Sequence, residues 1–225
     1  MCGKFTAMYS WSEVVAFSQP LESAGQDDRE VTYRVMSDLP VVVLDIVSGK
    51  RRVVPMRWGF PDPADWRRPR PIHARAETID TTRTFGQAFI DGQRGIVLMK
   101  NFNEAPDVPG PTVQHTITPA AGEILAAAFV WRKFEIAGAP DPFFACALCT
   151  VPANELIRRL PTDRMPAFLA KEDWGTWLGE IPATVEEVKA CLKTVEGIRW
   201  TMAKEGRQGT VVRGKPVVSD PTGLF

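Results

Sequence analysis

Leu39-Pro40-Val41-Val42-Val43-Leu44-Asp45-Ile46-Val47, Ser48-Gly49-Lys50, Arg51-Arg52-Val53-Val54-Pro55-Met56-Arg57-Trp58 is two apolar arms joined by a short polar turn. Valine and isoleucine crowd both arms, and β-branched side chains fit a pleated, half-buried surface. Ser48-Gly49-Lys50 supplies a turn between them, so the stretch predicts a hairpin with strands over 39–47 and 51–58.

Outward from this hairpin, apolar runs predict strands over 95–100, 112–118, 124–131 and 143–150. Ser10 with Glu13 has the pattern of a capping box and predicts a short helix through about Phe17. Further helical stretches are expected over 84–90, 154–160, 171–178 and 185–194. Residues 19–30 and 105–111 read as loops, as does the segment holding Pro61, Pro63, Pro69 and Pro71. From Glu205 the glycine-rich tail reads as strand and turn or as poorly ordered. Many strands, short helices and no βαβ rhythm predict an α+β fold on a mainly antiparallel, barrel-like sheet. No repeat divides the chain, and one domain over 1–225 is expected.

With 44% hydrophobic and 24% charged residues in 225, the composition is that of an ordinary soluble globular protein. No apolar run approaches the ~18 residues of a membrane span, and the N-terminal stretch has neither signal- nor transit-peptide character. A cytoplasmic location is therefore expected, with the four cysteines reduced. Zero net charge argues against sequence-blind duplex binding through a basic surface. Charge is uneven, however: residues 50–75 carry eight cations against Asp62 and Asp65, with Trp58 and Trp66 among them. Cations interleaved with rings suit a single-stranded nucleic acid groove, phosphates on arginine and bases on aromatics. They equally suit a hairpin with solvated arginines and core tryptophans.

The opening Met1-Cys2-Gly3-Lys4-Phe5 carries a specific chemical possibility. Removal of Met1 before a small residue would leave an N-terminal 1,2-aminothiol. Its amine can condense with an aldehyde to a Schiff base, and its thiol can then close a thiazolidine ring. Cys146-Ala147-Leu148-Cys149 has the outline of a metal half-site, but in a strand residues three apart face opposite sides. No second pair has finger spacing, so no metal and no cofactor is expected. Cys191 reads as a buried thiol, and His115 has no assigned role.

With these segments in place, the chain resembles the SOS-response-associated peptidase (SRAP) family, whose members shield abasic sites in DNA. Met1-Cys2-Gly3-Lys4-Phe5 is similar to its Met-Cys-Gly-Arg-Phe opening, Tyr33-Arg34-Val35 to its Tyr/Phe-Asn-Val segment, and Trp58-Gly59-Phe60 to its Trp-Gly-aliphatic element. Ala74-Arg75-Ala76-Glu77-Thr78, Phe102-Asn103-Glu104 and Asp163-Arg164-Met165-Pro166 match further signatures. All occur in family order up to about residue 178, and 179–225 would complete the same domain. The resemblance implies a barrel-like bifurcated sheet. It also implies a partner, single-stranded DNA containing abasic sites, to which Cys2 crosslinks with Glu104 as acid and base. It further implies nucleoid association when acting; a monomer and no membrane contact are expected.

Within matched signatures Arg75 and Arg164 are the best phosphate-binding candidates, because a guanidinium forks two bonds to phosphate; Arg75 could instead pair with Glu77. Lys4, Arg34 and Trp66 are further DNA-binding candidates. Two positions depart from the family: His73 stands where Asn is usual, and Thr162 where His is usual. His73 would then supply a titratable group from the opposite wall, or merely replace Asn as a hydrogen-bonding group. Thr162 cannot titrate near neutral pH. A thiol peptidase acting through Cys2, or a non-catalytic relative that only binds DNA, are the alternative readings.

Overall fold

The computed structural model describes residues 2–7, 21–22, 31–62, 64–107, 113–120, 123–197 and 199–205. Its strands begin with β1 (Lys4–Ala7), β2 (Leu21–Glu22), β3 (Val31–Arg34), β4 (Asp38–Asp45), β5 (Lys50–Trp58), β6 (Pro61–Asp62), β7 (Asp65–Pro69) and β8 (His73–Arg75). They continue with β9 (Arg94–Met99), β10 (Asn101–Glu104), β11 (His115–Thr118), β12 (Leu125–Phe134), β13 (Phe143–Pro152), β14 (Arg164–Pro166) and β15 (Thr201–Lys204). The helices are short: α1 (Gly86–Ile90), α2 (Trp174–Leu178) and α3 (Val185–Ala190).

The predicted hairpin forms, with β4 and β5 paired from Asp38 opposite Arg57 to Asp45 opposite Lys50. Around it a small barrel closes. β9 meets β4 at Val42–Ile96 and pairs with β12; β12 pairs with β13, which returns to lie parallel to β5 at Ala145–Arg57 and Cys146–Trp58. Gly95 permits the β4–β9 crossing, since a Cβ there would lie 2.4 Å from Val41 Cγ1 and 3.1 Å from the Val42 carbonyl oxygen. β9 is buried along its whole length, which is why it reads as a continuous apolar run rather than an alternating one.

A second, wholly antiparallel sheet has the order β15-β11-β10-β1-β3. It shares its chain with the barrel at two corners. β9 runs through Lys100 into β10, and the Lys100 N–H donates to the Thr6 carbonyl at 3.0 Å. β3 turns into β4 at Met36, whose φ is 76°. The fold is therefore α+β, mostly antiparallel and barrel-like, with few short helices. Phe5 locks the two sheets together, its ring 5.4 Å from those of both Tyr33 and Trp58. Trp58 in turn meets Phe129 of the barrel at 6.3 Å. Burying an aromatic side chain contributes about 1.5–3 kcal/mol, so the first strand is held by its third residue from the site rather than by its terminus.

Arg94 fastens the short helices: its Nε donates to the Trp177 carbonyl at 2.6 Å and its Nη1 to the Phe89 carbonyl at 2.7 Å. No helix among the described residues is long and apolar enough to cross a membrane.

Several expectations need correction or placing. Within the loop expected over 19–30, Leu21 and Glu22 form β2, parallel to Arg51 and Arg52 of β5. The tail expected beyond Glu205 lies outside the described residues. The proline-rich segment is not irregular: β6 and β7 pair, with Pro61 opposite Pro69, because two-residue and edge strands tolerate proline. Leaving β5 for this hairpin demands Gly59 at φ 113°, where a Cβ would lie 2.4 Å from Pro69 Cβ. The helix expected over 154–160 is only a 3-10 turn, Ile157–Arg159. The helix expected over 10–17 lies outside the described residues.

Candidate active site

Cys2 precedes β1 directly, and the seating of Phe5 draws it inward until only 2% of it is exposed. Its Sγ–H donates to the Lys4 carbonyl at 3.4 Å, and the Asn103 backbone N–H also faces the sulfur. β1 and β10 pair with Phe5 opposite Phe102; carried on, that register sets Glu104 opposite Gly3, one residue from Cys2. The Glu104 side chain is fully buried. Its Oε1 accepts the Ala105 N–H at 3.2 Å, and the Cys2 backbone N–H is directed at the same carboxyl. Burial raises the Glu104 pKa above the ordinary glutamate value, while these two N–H groups work in the opposite direction. Burial, with the charge of Glu104 added to it, pushes the Cys2 thiol up to about 12.

His73 enters from the barrel side. β8 lies parallel to β13 with His73 opposite Leu148, and this carries the imidazole to the Cys2 backbone. There His73 Nε2 donates to the Cys2 carbonyl at 2.7 Å. Burial lowers the His73 pKa, and the positive charge of Arg164 acts in the same sense. The ring is thus a neutral donor that fixes the Cys2 peptide, with its hydrogen spent on the carbonyl rather than on the sulfur.

Arg164 lies on β14, across β13 from β8. It forks onto Glu77 at 2.5 and 2.9 Å and donates to the Thr150 carbonyl at 2.5 Å. The hydrogen bond from Arg164 leads the causes that hold the Glu77 carboxyl below its ordinary range. This guanidinium is buried scaffold whose charge reaches His73. Arg75, by contrast, is exposed. It borders a cleft of about 650 Å³ together with Asp62, Arg70, Ile72, His73 and Thr150, so the cleft runs from open solvent to the imidazole that touches Cys2.

The remaining candidates are placed apart. Thr162 is buried in the loop before β14, which is tied to the segment following β10 by the Asp107 N–H to the Pro161 carbonyl at 2.9 Å. Its hydroxyl meets no hydrogen-bond partner among the described residues. Lys4 Nζ is 2.7 Å from Glu205. Arg34 is exposed on β3 opposite Lys4. Trp66 is half-buried, with the guanidinium carbons of Arg57 and Arg67 at 5.2 and 4.9 Å from its ring centre. Trp58 is core. Cys146 and Cys149 are buried free thiols, and no three His, Cys, Asp or Glu side chains gather as a metal site among the described residues.

Sequence reasoning missed Asn103 as a contact of the sulfur and Glu205 as a partner of Lys4. Asn103 sat inside a quoted signature and needed only the β1–β10 register. Glu205 carries no local signal.

The SOS response associated peptidase (SRAP) family model matches residues 1–205. Among solved structures, a protein from Bordetella bronchiseptica superposes with a TM-score of 0.74 at 20% identity, over 91% of this chain and 100% of that one. A protein from Bacteroides thetaiotaomicron gives 0.74 at 17% identity, over 92% and 93%. A phage-related protein from Bordetella bronchiseptica gives 0.63 at 19% identity, over 92% and 95%. These likenesses are of fold. No curated protein matches the chain.

Proposed function

The chain belongs to the SOS response associated peptidase family, and from that premise we propose that it binds single-stranded DNA and traps abasic-site aldehydes covalently through Cys2 once Met1 is removed. Membership supports a DNA-damage-associated role; the covalent chemistry rests on one observation. The Cys2 backbone nitrogen, which becomes the primary amine on loss of Met1, points at a buried carboxyl whose pKa is raised.

The steps follow from that placement. The amine adds to the open-chain aldehyde of the abasic sugar and gives a carbinolamine. Glu104, holding its proton at higher pH than an exposed glutamate does, protonates the departing hydroxyl; water leaves, and the carboxylate takes back the N–H proton of the iminium as the neutral imine forms. The Cys2 S–H then adds across the C=N bond: a carbon–sulfur bond forms, the thiol proton reaches nitrogen by way of the Glu104 carboxyl, and Glu104 ends protonated as it began. One water is lost overall. His73 holds the Cys2 carbonyl so that amine and sulfur present the same face. Arg75 receives a phosphate at the mouth of the cleft, while Arg34 and Trp66 extend the DNA surface; Lys4 and Arg164, held by Glu205 and Glu77, brace the strands behind it. Thr162, with a hydroxyl in place of a titrating ring, carries no proton step.

A thiol peptidase would need the opposite electrostatics. Such enzymes lower the thiol pKa through an imidazole partner; here the thiol is pushed up to about 12 and the imidazole is bonded to a carbonyl.

Two preparations separate the readings: the chain beginning at Cys2 and the chain retaining Met1, each incubated with single-stranded DNA bearing one abasic site. On a denaturing gel only the first is expected to give a shifted band. Equal bands from both would refute a role for the Cys2 amine. No band from either, with DNA binding intact, would favour a non-catalytic DNA-binding relative.

A further inference from the structure

Glu205 follows β15, the last strand of the second sheet among the described residues, and its N–H donates to the Gln114 carbonyl at 2.9 Å. One of its oxygens, Oε1, accepts from three neighbouring strands: Lys4 Nζ at 2.7 Å on β1, Asn103 Nδ2 at 2.7 Å on β10 and Thr116 Oγ1 at 3.3 Å on β11. Lys4 and Asn103 are also the two residues whose backbones grip the Cys2 sulfur, through the Lys4 carbonyl and the Asn103 N–H.

We propose that Glu205 is a positioning residue for the nucleophile: its carboxylate fastens the side chains of Lys4 and Asn103, and their backbones thereby fix the Cys2 sulfur beside Glu104. The geometry has a physical logic. β1 and β10 end at the site, where a ladder would ordinarily fray. A charged acceptor shared between an ammonium and an amide is a strong tie across that end. Asn103 is 1% exposed, so water cannot readily replace the carboxylate as its partner. The same contact holds Lys4 by its charge, so the opening strand is anchored by a residue 201 positions away. The consequence for crosslinking rests on the abasic-site reading; the tie itself does not.

The test therefore reads Cys2 in two ways. Iodoacetamide alkylation, followed residue by residue by mass spectrometry, reports access to the sulfur without DNA. Crosslinking at saturating abasic-site DNA reports its placement. Because a small displacement near reacting atoms can cost orders of magnitude, Glu205→Ala should alkylate at Cys2 about tenfold faster and crosslink about tenfold slower. Cys146 and Cys149 should alkylate as in the wild type. Glu205→Gln keeps an oxygen acceptor but not the charge, and should fall between wild type and Glu205→Ala, about threefold from wild type in both assays. Wild-type alkylation of Cys2 in Glu205→Ala would overturn the proposal. So would equal acceleration at Cys146 and Cys149, which would mean general loosening. The expected alkylation pattern in a protein that never crosslinks would uphold the tie and reject the abasic-site reading.

Discussion

Cys2→Ala is expected to remove the DNA adduct that survives a denaturing gel without reductant, a loss on the order of a thousandfold or more, because its amine still forms the imine but no sulfur closes the ring. The fold should survive, because Phe5 anchors β1 against Tyr33 and Trp58. Losing one buried sulfur costs only about 1 kcal/mol, which thermal unfolding would register as a small shift. Cys2→Ser is the more informative partner. A serine hydroxyl can donate to the Lys4 carbonyl as the thiol does, and its amine can still form the imine. Ring closure then gives an oxazolidine, which hydrolyses readily. The serine variant should therefore yield an adduct that borohydride traps and a denaturing gel without reductant does not show.

Glu104→Gln carries the second large effect: crosslinking slower by about 10²–10⁴, the usual worth of a positioned general acid. It should also change the pH profile. The acid form of Glu104 is lost as pH rises through a value above the ordinary glutamate range, so wild-type crosslinking should decline through that inflection and the variant should lack it. Stability moves the other way. Since the native carboxyl holds its proton more tightly than the unfolded one, the native state binds more protons between about pH 4.3 and the raised native value. Wild-type stability therefore falls as pH rises across that window, and glutamine, which cannot ionise, is spared the loss. Thermal unfolding at pH 4 and pH 7 should show Glu104→Gln gaining on wild type toward neutral pH. A group that weakens the fold at neutral pH and raises the reaction rate is there for chemistry.

The barrel was legible because its strands are apolar and long enough to announce themselves: β4, β5, β9, β12 and β13 all lie within a few residues of their predicted spans. The strands that carry the site were not. β1, β8, β10 and β14 are three or four residues long and carry Lys4, His73, Asn103, Glu104 and Arg164 among few apolar residues. Their extended form comes from pairing with strands far away in the chain, which no local period records. Cys2 and Glu104 were singled out through signature residues and their chemistry. What could not be read was direction: Arg164 turns to Glu77 and Thr150, Lys4 to Glu205, and His73 to the Cys2 carbonyl rather than its sulfur. The 3-10 turn at Ile157–Arg159 shows the same limit. Asn154 Oδ1 accepts the Ile157 N–H at 2.9 Å, and the chain leaves after one turn toward Pro161.

Intact-mass spectrometry on the chain beginning at Cys2, incubated with an abasic-site oligonucleotide and no reductant, decides whether Cys2 closes a thiazolidine. One species is expected at the summed mass of protein and oligonucleotide less a single water, unchanged by later borohydride because a thiazolidine has no C=N bond. An adduct that gains two hydrogens on reduction, or no adduct at all, would contradict that closure.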